Sequence, residues 1–411
     1  MDSGINTGGI DRRRFLERTL GTGAALTLAG VAQAAPAAGA STTAATSPAP
    51  ERPAYNGKKI RVGIIGCGSV SHRYMPDLAE CPFAEIVSTC DIKPERAAEQ
   101  ATAHNVANHY PHISKMLAGE DFDLFVNLTD MQEHERLNRE AIAAGKHVWS
   151  EKPIANTHAA GMEILEQAKQ KGVRVWGAPV VVASPQFAYM AKKLNEGALG
   201  RVAAAHADYG HQGPTWSAFF YEKGGGSMPD LGVYNFTSLT GLLGPAKSVV
   251  AMCGVVTPTR HVDDKGDIQV TEEDNAMVIL DHGNGALSHV QCGFNYFNPN
   301  GHDGSQETRP TISIVGSKGS LGMVGYDWMP LGVDFATDDH PNLQRFSTED
   351  GGYVWQQGAS MACECLATGK EMLVTPEHAL HVVDIMCAAR ESQRTGRRID
   401  LSSTFKWPVV T

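Results

Sequence analysis

The rhythm of apolar positions changes near residue 180. Before it, short uninterrupted apolar runs alternate with stretches of mixed polarity. Ile60, Val62, Ile64 and Ile65 form the first run; Ile86-Val87, Phe122–Thr129, Lys146–Ser150 and Val173–Gly177 follow. Runs of this kind, rich in β-branched and aromatic residues, suit strands buried on both faces of a parallel sheet. Between them, Pro94–Val106, Gln132–Ala144 (closed by Gly145) and a segment capped by Thr157 and running to Lys171 read as helices. Strand alternating with helix predicts a doubly wound parallel sheet with connections of one hand. After residue 180 the chain opens with a helix from Ser184-Pro185 to Leu194, followed by a strand and then by several runs in which apolar and polar positions alternate. The strand is Arg201–Asp208, and the runs are Ser248–Val256, Asn275–Leu280, Ala286–Cys292 and Ile312–Val315. Alternation predicts an open, mostly antiparallel sheet with one face exposed. Pro376–Arg394 reads as an amphipathic helix, and residues 330–350 as a long polar loop. The expected fold is α/β, with a parallel doubly wound domain over 58–179 and an α+β domain over 180–411.

The first strand breaks at Gly66-Cys67-Gly68, and Ser69, Val70 and Ser71 lead into a helix. Strand, glycine turn and helix open a dinucleotide-binding (Rossmann) unit. Gly66 permits the tight turn, Gly68 lets the backbone approach a pyrophosphate, and the free N–H groups at the helix start face that anion. The third fingerprint position holds Ser71 in place of Gly or Ala. About 25 residues on, near the spacing this fingerprint requires, the second strand ends at Cys90-Asp91. A carboxylate there accepts from the ribose hydroxyls of NAD and repels the 2′-phosphate of NADP. NAD is therefore the expected cofactor and NADP the second choice.

Residues 1–57 are kept out of the fold. Arg12-Arg13, then Phe15-Leu16, a small-residue apolar stretch from Leu20 to Val31, and Ala32-Gln33-Ala34 have the order of a twin-arginine export signal over residues 1–34. An Ala-, Pro-, Ser- and Thr-rich tether follows over 35–57. The mature protein is expected in the periplasm or otherwise outside the cytoplasm, unattached to the membrane. Export of a folded protein away from the cytoplasmic nicotinamide pool implies a cofactor held tightly and returned to its starting redox state each cycle. A formal net charge of −10, with no basic run in the mature part, argues against a nucleic-acid partner. Eight cysteines show no paired C-x-x-C spacing, so no metal site is expected, and Cys363 and Cys365 read as packed thiols.

The series GIIGCG, CD, NLTDMQEH and AGKHVWSEKP, together with a final helix ending in AARESQRTGRRIDL, resembles the glucose–fructose oxidoreductase/inositol dehydrogenase (Gfo/Idh/MocA) family along the whole mature chain. The resemblance implies a carbohydrate or cyclic polyol substrate, a dinucleotide cofactor and pairing of subunits through the open sheet, as a dimer or tetramer. Cofactor contacts are then expected from Gly66, Gly68, Ser69, Val70, Asp91, Thr129, His134, Glu151 and Lys152. Lys152, in the Glu-Lys-Pro at a strand end, supplies a cation able to stabilise an alkoxide as hydride leaves. The family's D-x-G-x-H is here Asp230-Leu-Gly-Val-Tyr234, with a phenol in the histidine's place. Lys152, Tyr234, Asp230 and His211 are the catalytic candidates, and Lys152 is expected to lower the pKa of Tyr234. Trp216, Phe219, Phe220 and Tyr221 suit a stacking floor for a sugar ring or a core cluster equally. Three activities fit these parts. One is an oxidoreductase with an internally recycled cofactor. A second is an NAD-dependent glycosidase working by oxidation, elimination, water addition and re-reduction. The third is a non-enzymatic dinucleotide-binding protein.

Overall fold

A computed structural model of the protein describes residues 55–297 and 307–410. The expected export signal (1–34) lies outside the described residues, as does the tether up to residue 54.

The first layer is a six-stranded sheet of β1 (Ile60–Ile65), β2 (Ala84–Cys90), β3 (Asn108–Tyr110), β4 (Leu124–Asn127), β5 (His147–Ser150) and β6 (Val175–Gly177). The spatial order is 3-2-1-4-5-6, and every pairing is parallel. The order reverses between β1 and β4, so the crevice for a ligand lies beyond their carboxyl ends. Helices α1 (Ser71–Glu80), α2 (Pro94–Ala103), α3 (Ile113–Leu117), α4 (His134–Ala143) and α5 (His158–Lys171) connect the strands. Val62, Ile64, Leu124, Phe125, Val126, Val148 and Trp149 are fully buried, as continuous apolar runs demand.

The second half begins with α6 (Pro185–Asn195) and β7 (Val202–Gly210). A single π-helical turn, Met228–Gly232, runs into α7 (Val233–Leu243). Then come β8 (Ser248–Gly254), the hairpin β9 (Thr259–Val262) and β10 (Gly266–Gln269), β11 (Asn275–Asp281), β12 (Leu287–Gly293), β13 (Pro310–Gly316), β14 (Gly319–Tyr326), β15 (Met329–Thr337) and β16 (Gln344–Phe346). Helices α8 (Gly358–Thr368) and α9 (Pro376–Thr395) and the short β17 (Ile399–Asp400) close the chain. Nine strands form one sheet in the order 16-15-14-13-7-12-11-8-17, antiparallel except where β7 meets β12. One face packs on α7 and α9; the other exposes Val250, Met252, Met277 and Ile279, paired across β8 and β11.

Three expectations need correction. Residues 330–350 are not a loop: most of β15 and all of β16 lie there. Glycine at 332 and charges at 334 and 345 hide an edge ribbon in which Val333 is buried while Leu331 points outward. The hairpin β9–β10 was not foreseen. Nor was α8, which leaves the second half and packs against α1, β1, β2 and β5 of the first. Its small residues permit this: a Cβ on Gly358 would come within 2.1 Å of the Trp149 ring. The first layer is therefore completed by residues far beyond 179.

Candidate active site

Gly66 follows β1 with φ of +87°, and an added Cβ would meet the Leu128 carbonyl at 2.5 Å. Only glycine fits this turn. Ser71 explains its own departure from the fingerprint: it is buried at the first turn of α1, and its hydroxyl donates to the Gly68 carbonyl at 2.6 Å. The serine thus tightens the turn that a small apolar residue would only fit. Asp91 sits at the end of β2, with Oδ2 accepting from Cys67 N–H (2.8 Å) and Oδ1 from Lys93 N–H (2.8 Å). Two backbone donors hold the carboxylate beside the glycine turn. The turn, the exposed Ser69 and the oriented carboxylate fit a dinucleotide.

At the end of β4, Thr129 Oγ1 donates to Asn127 Oδ1 at 2.7 Å, and Asn127 is held in turn by Asn138 of α4. His134 does not reach out as a cofactor contact. It is buried, with Nε2 2.9 Å from the Thr129 carbonyl and Nδ1 2.8 Å from the Pro153 carbonyl, and burial pushes its pKa down. As a neutral ring with one N–H it donates to one of these two carbonyls and packs between the ends of β4 and β5. Glu151 is also spoken for: Oε1 accepts from the Tyr74 hydroxyl (2.6 Å) and Oε2 from Lys152 N–H (3.0 Å), anchoring the lysine's backbone to α1.

Lys152 crosses the interface between the halves. Its Nζ donates to Asp230 Oδ1 at 2.8 Å and to the Asp230 carbonyl at 2.7 Å, and its side chain is only 11% exposed. The same ammonium lies 5.2 Å from the centroid of the Tyr234 ring. Asp230 and Tyr234 reach it together because the π turn ends in α7, leaving residues four apart on one side. The expected effect of the lysine on the phenol is overturned. Burial, then the Glu151 carboxylate, Tyr209 and Asp230, hold the Tyr234 pKa well above the usual phenol value. The ammonium sits over the ring face with two of its three donors on Asp230, and burial keeps Tyr234 protonated.

His211 stands one ring further off. Tyr209 lies between, 6.0 Å from His211 and 6.1 Å from Tyr234 by ring centroids, and His211 Nδ1 accepts from Gly213 N–H at 3.0 Å. Phe220 and Tyr221 are core residues, whereas Trp216 is 43% exposed and edge-on to Phe220. Sequence reasoning missed an aromatic series joined to Tyr209: Tyr326 at 4.3 Å, Trp328 at 6.3 Å, and Trp355, 5.7 Å from Trp328. It also missed Asp327, buried beneath them and pushed up to about 6 by burial, with Asn235 and Ser238 donating to it. Asp327-Trp328 and Trp355 flank the segment 330–350 read as a loop, in stretches with no periodic signal. Cys363 and Cys365 are buried free thiols.

Known proteins place this arrangement. The description "Oxidoreductase family, NAD-binding Rossmann fold" matches residues 60–178, and "GFO/IDH/MocA C-terminal domain" matches residues 187–322. An uncharacterized oxidoreductase, sll0816, of Synechocystis is 27% identical over 270 residues, spanning 64% of this chain and 71% of that one. The scyllo-inositol 2-dehydrogenase (NADP(+)) IolU of Bacillus subtilis is 29% identical over 199 residues, 47% of this chain and 61% of that protein. The structure of an aldose–aldose oxidoreductase from Caulobacter crescentus superposes with a TM-score of 0.70 at 21% identity, covering 84% of this chain and all of that one. The two family matches together span more than half of the chain, and the protein belongs to the Gfo/Idh/MocA family of NAD(P)-binding oxidoreductases.

Proposed function

We propose that the protein oxidises a carbinol carbon of a sugar or cyclic polyol to a carbonyl, or reduces such a carbonyl to the carbinol, with NAD as cofactor. The observation that carries this reading is the Lys152 ammonium, pinned by Asp230 and 5.2 Å from the Tyr234 ring, beyond the strand ends where the glycine turn also lies. Bound nicotinamide supplies a hydride acceptor and donor. Lys152 stabilises negative charge on the reacting oxygen, and Asp230 fixes the ammonium's position. Tyr234, held protonated, donates a hydrogen bond to that oxygen and gives its proton when a carbonyl is reduced. In the opposite direction the oxygen gives its proton to the Tyr234 phenolate, the form that the reductive step leaves, as the carbon loses hydride. The fixed Asp91 carboxylate supports NAD over NADP. The sugar and polyol class is supported by the inositol dehydrogenase among the relatives.

The twin-arginine pattern supports export, and export supports a captive, recycled cofactor. The apolar stripe Val250, Met252, Met277 and Ile279 on the open sheet supports self-association as a dimer or tetramer. The test uses the purified full chain. Nucleotide released by denaturation is identified by mass, and polyols, aldoses and aryl glycosides are then offered singly and in pairs. Ketone or lactone formation, coupled to reduction of a second sugar and lost in Lys152→Met, is the expected result. Release of aglycone without net redox change would replace this reading with a glycosidase. Absence of any nucleotide affinity would end it.

A further inference from the structure

Three glycines precede the π turn, and each is held from outside. Gly224, with φ of +86°, gives its N–H to Glu272 Oε1 at 3.1 Å. The Gly225 carbonyl accepts from Arg390 Nη2 at 2.7 Å, and a Cβ at this position would meet the Phe219 carbonyl at 2.4 Å. Gly226, with φ of +112°, lies so close to Glu273 that a Cβ would meet its Oε1 at 2.4 Å. Glu273 itself is buried. Its carbonyl accepts from Ser227 N–H at 2.9 Å and its Oε1 from Met228 N–H at 3.2 Å. Arg390, on α9, faces Glu273 at 3.2 Å and Glu272 at 3.6 Å. Beside Arg390, Val383 and Met386 of the same helix line a crevice with Pro153 and Pro229. One helix therefore backs both the loop that carries Lys152 and the turn that carries Asp230.

A triglycine segment is the most flexible stretch a chain can offer, and its positive φ values are conformations that other residues avoid. Left untied, it would let Asp230 wander. A buried carboxylate held by a half-buried guanidinium is a costly way to fill space, since apolar residues of the same size serve as well or better. The charges on Arg390 and Glu273 are explained by what they hold.

We propose that Arg390 and Glu273 are positioning residues: they latch the Gly224–Gly226 strap so that Asp230 presents both its carboxylate and its carbonyl to the Lys152 ammonium. This rests on the Lys152–Asp230 pairing assigned above. The test uses the full chain carrying Glu273→Gln with Arg390→Met, which removes both charges and leaves neither buried alone. Lys152 Nζ is acylated with limiting acetic anhydride at fixed pH and followed by mass spectrometry, with the exposed Lys192 as internal standard and Asp230→Asn as reference. NADH binding is followed by fluorescence. In the double variant, labelling of Lys152 relative to Lys192 rises roughly tenfold, the size expected for losing one charge-assisted hydrogen bond. NADH affinity stays within about twofold, because the strap contacts no part of the glycine turn. Arg390→Lys, which keeps the charge and loses the fork, falls between. A rise in Asp230→Asn without one in the double variant overturns the latch. No rise in Asp230→Asn overturns the pairing beneath it. A rise matched by an equal loss of NADH binding is general loosening and also overturns the latch. If the double variant does not fold, Gly226→Ala, which drives a methyl against Glu273, is read the same way.

Discussion

The glycine turn after β1 and the Lys152–Asp230–Tyr234 cluster lie beyond the same sheet edge, yet they are built in opposite ways. The turn is closed by partners near in sequence and by backbone groups: Asp91 is 24 residues from Cys67, and the wall against Gly66 is main chain. The cluster is closed by side chains from distant elements. Lys152 and Asp230 are 78 residues apart, and the Arg390–Glu273 latch spans 117. The difference teaches where each site is vulnerable. A turn made of backbone fails by steric strain, whereas a cluster made of side chains fails by losing a single charge. Cofactor binding and turnover should therefore separate under mutation.

Lys152→Met is the sharpest way to force that separation. Turnover should fall about a thousandfold, while NADH affinity by fluorescence titration changes little. Equal loss of both would merge the two regions into one. Gly66→Ala strikes the other region: a clash at 2.5 Å and a positive φ should cost about 3 kcal/mol in thermal unfolding and abolish NADH binding. Tyr234→Phe keeps the ring beneath the ammonium and removes the hydroxyl. About a hundredfold drop in turnover at unchanged KM is expected, along with loss of the limb of the pH–rate profile that reports the phenol. Asp91→Ala removes an acceptor on the cofactor side alone, so NAD affinity falls about tenfold and NADP gains ground, with turnover at saturation nearly intact.

The smallest expected effect concerns α9, which backs the cluster. Burial pushes His378 down to about 3 and His381 down to about 4; their Nε2 atoms meet the Thr240 hydroxyl and the Ala246 N–H. Both values are depressed, so below the ordinary imidazole value the unfolded chain binds more protons than the folded one. Stability is therefore lost as pH falls from about 6.5, by roughly 1 kcal/mol per imidazole between pH 6.5 and 5.5. Melting curves across that range check it, and His378→Phe should flatten the dependence.

The division between the two regions is also the division between what was legible and what was not. Five of the six parallel strands of the first layer announced themselves, because burial on both faces forces a continuous apolar run; β3, Asn-His-Tyr and only partly buried, carries no such run and was not foreseen. Asp91, Glu151 and Lys152 were readable for the same reason: they terminate such runs. Ser71 looked like a defect until its hydroxyl was seen bonded to Gly68. His134, expected among the cofactor contacts, has its ring nitrogens against backbone carbonyls at two strand ends. The Tyr234 phenol was expected to be acidified by Lys152, but burial, and after it the Glu151 carboxylate, Tyr209 and Asp230, act the other way.

From the chain alone come most of the parallel sheet, the glycine turn and the alternating second sheet, because periodicity and turn chemistry depend on neighbours a few positions away; the proposed reacting groups came from strand ends and from the family resemblance. Only the folded molecule decided that α8 would complete the first layer and that β15 and β16 would extend the second sheet. It alone fixed which charges pair across the halves and which way burial moves each proton. Those outcomes depend on distance and dielectric between segments far apart in sequence, and no local pattern encodes either.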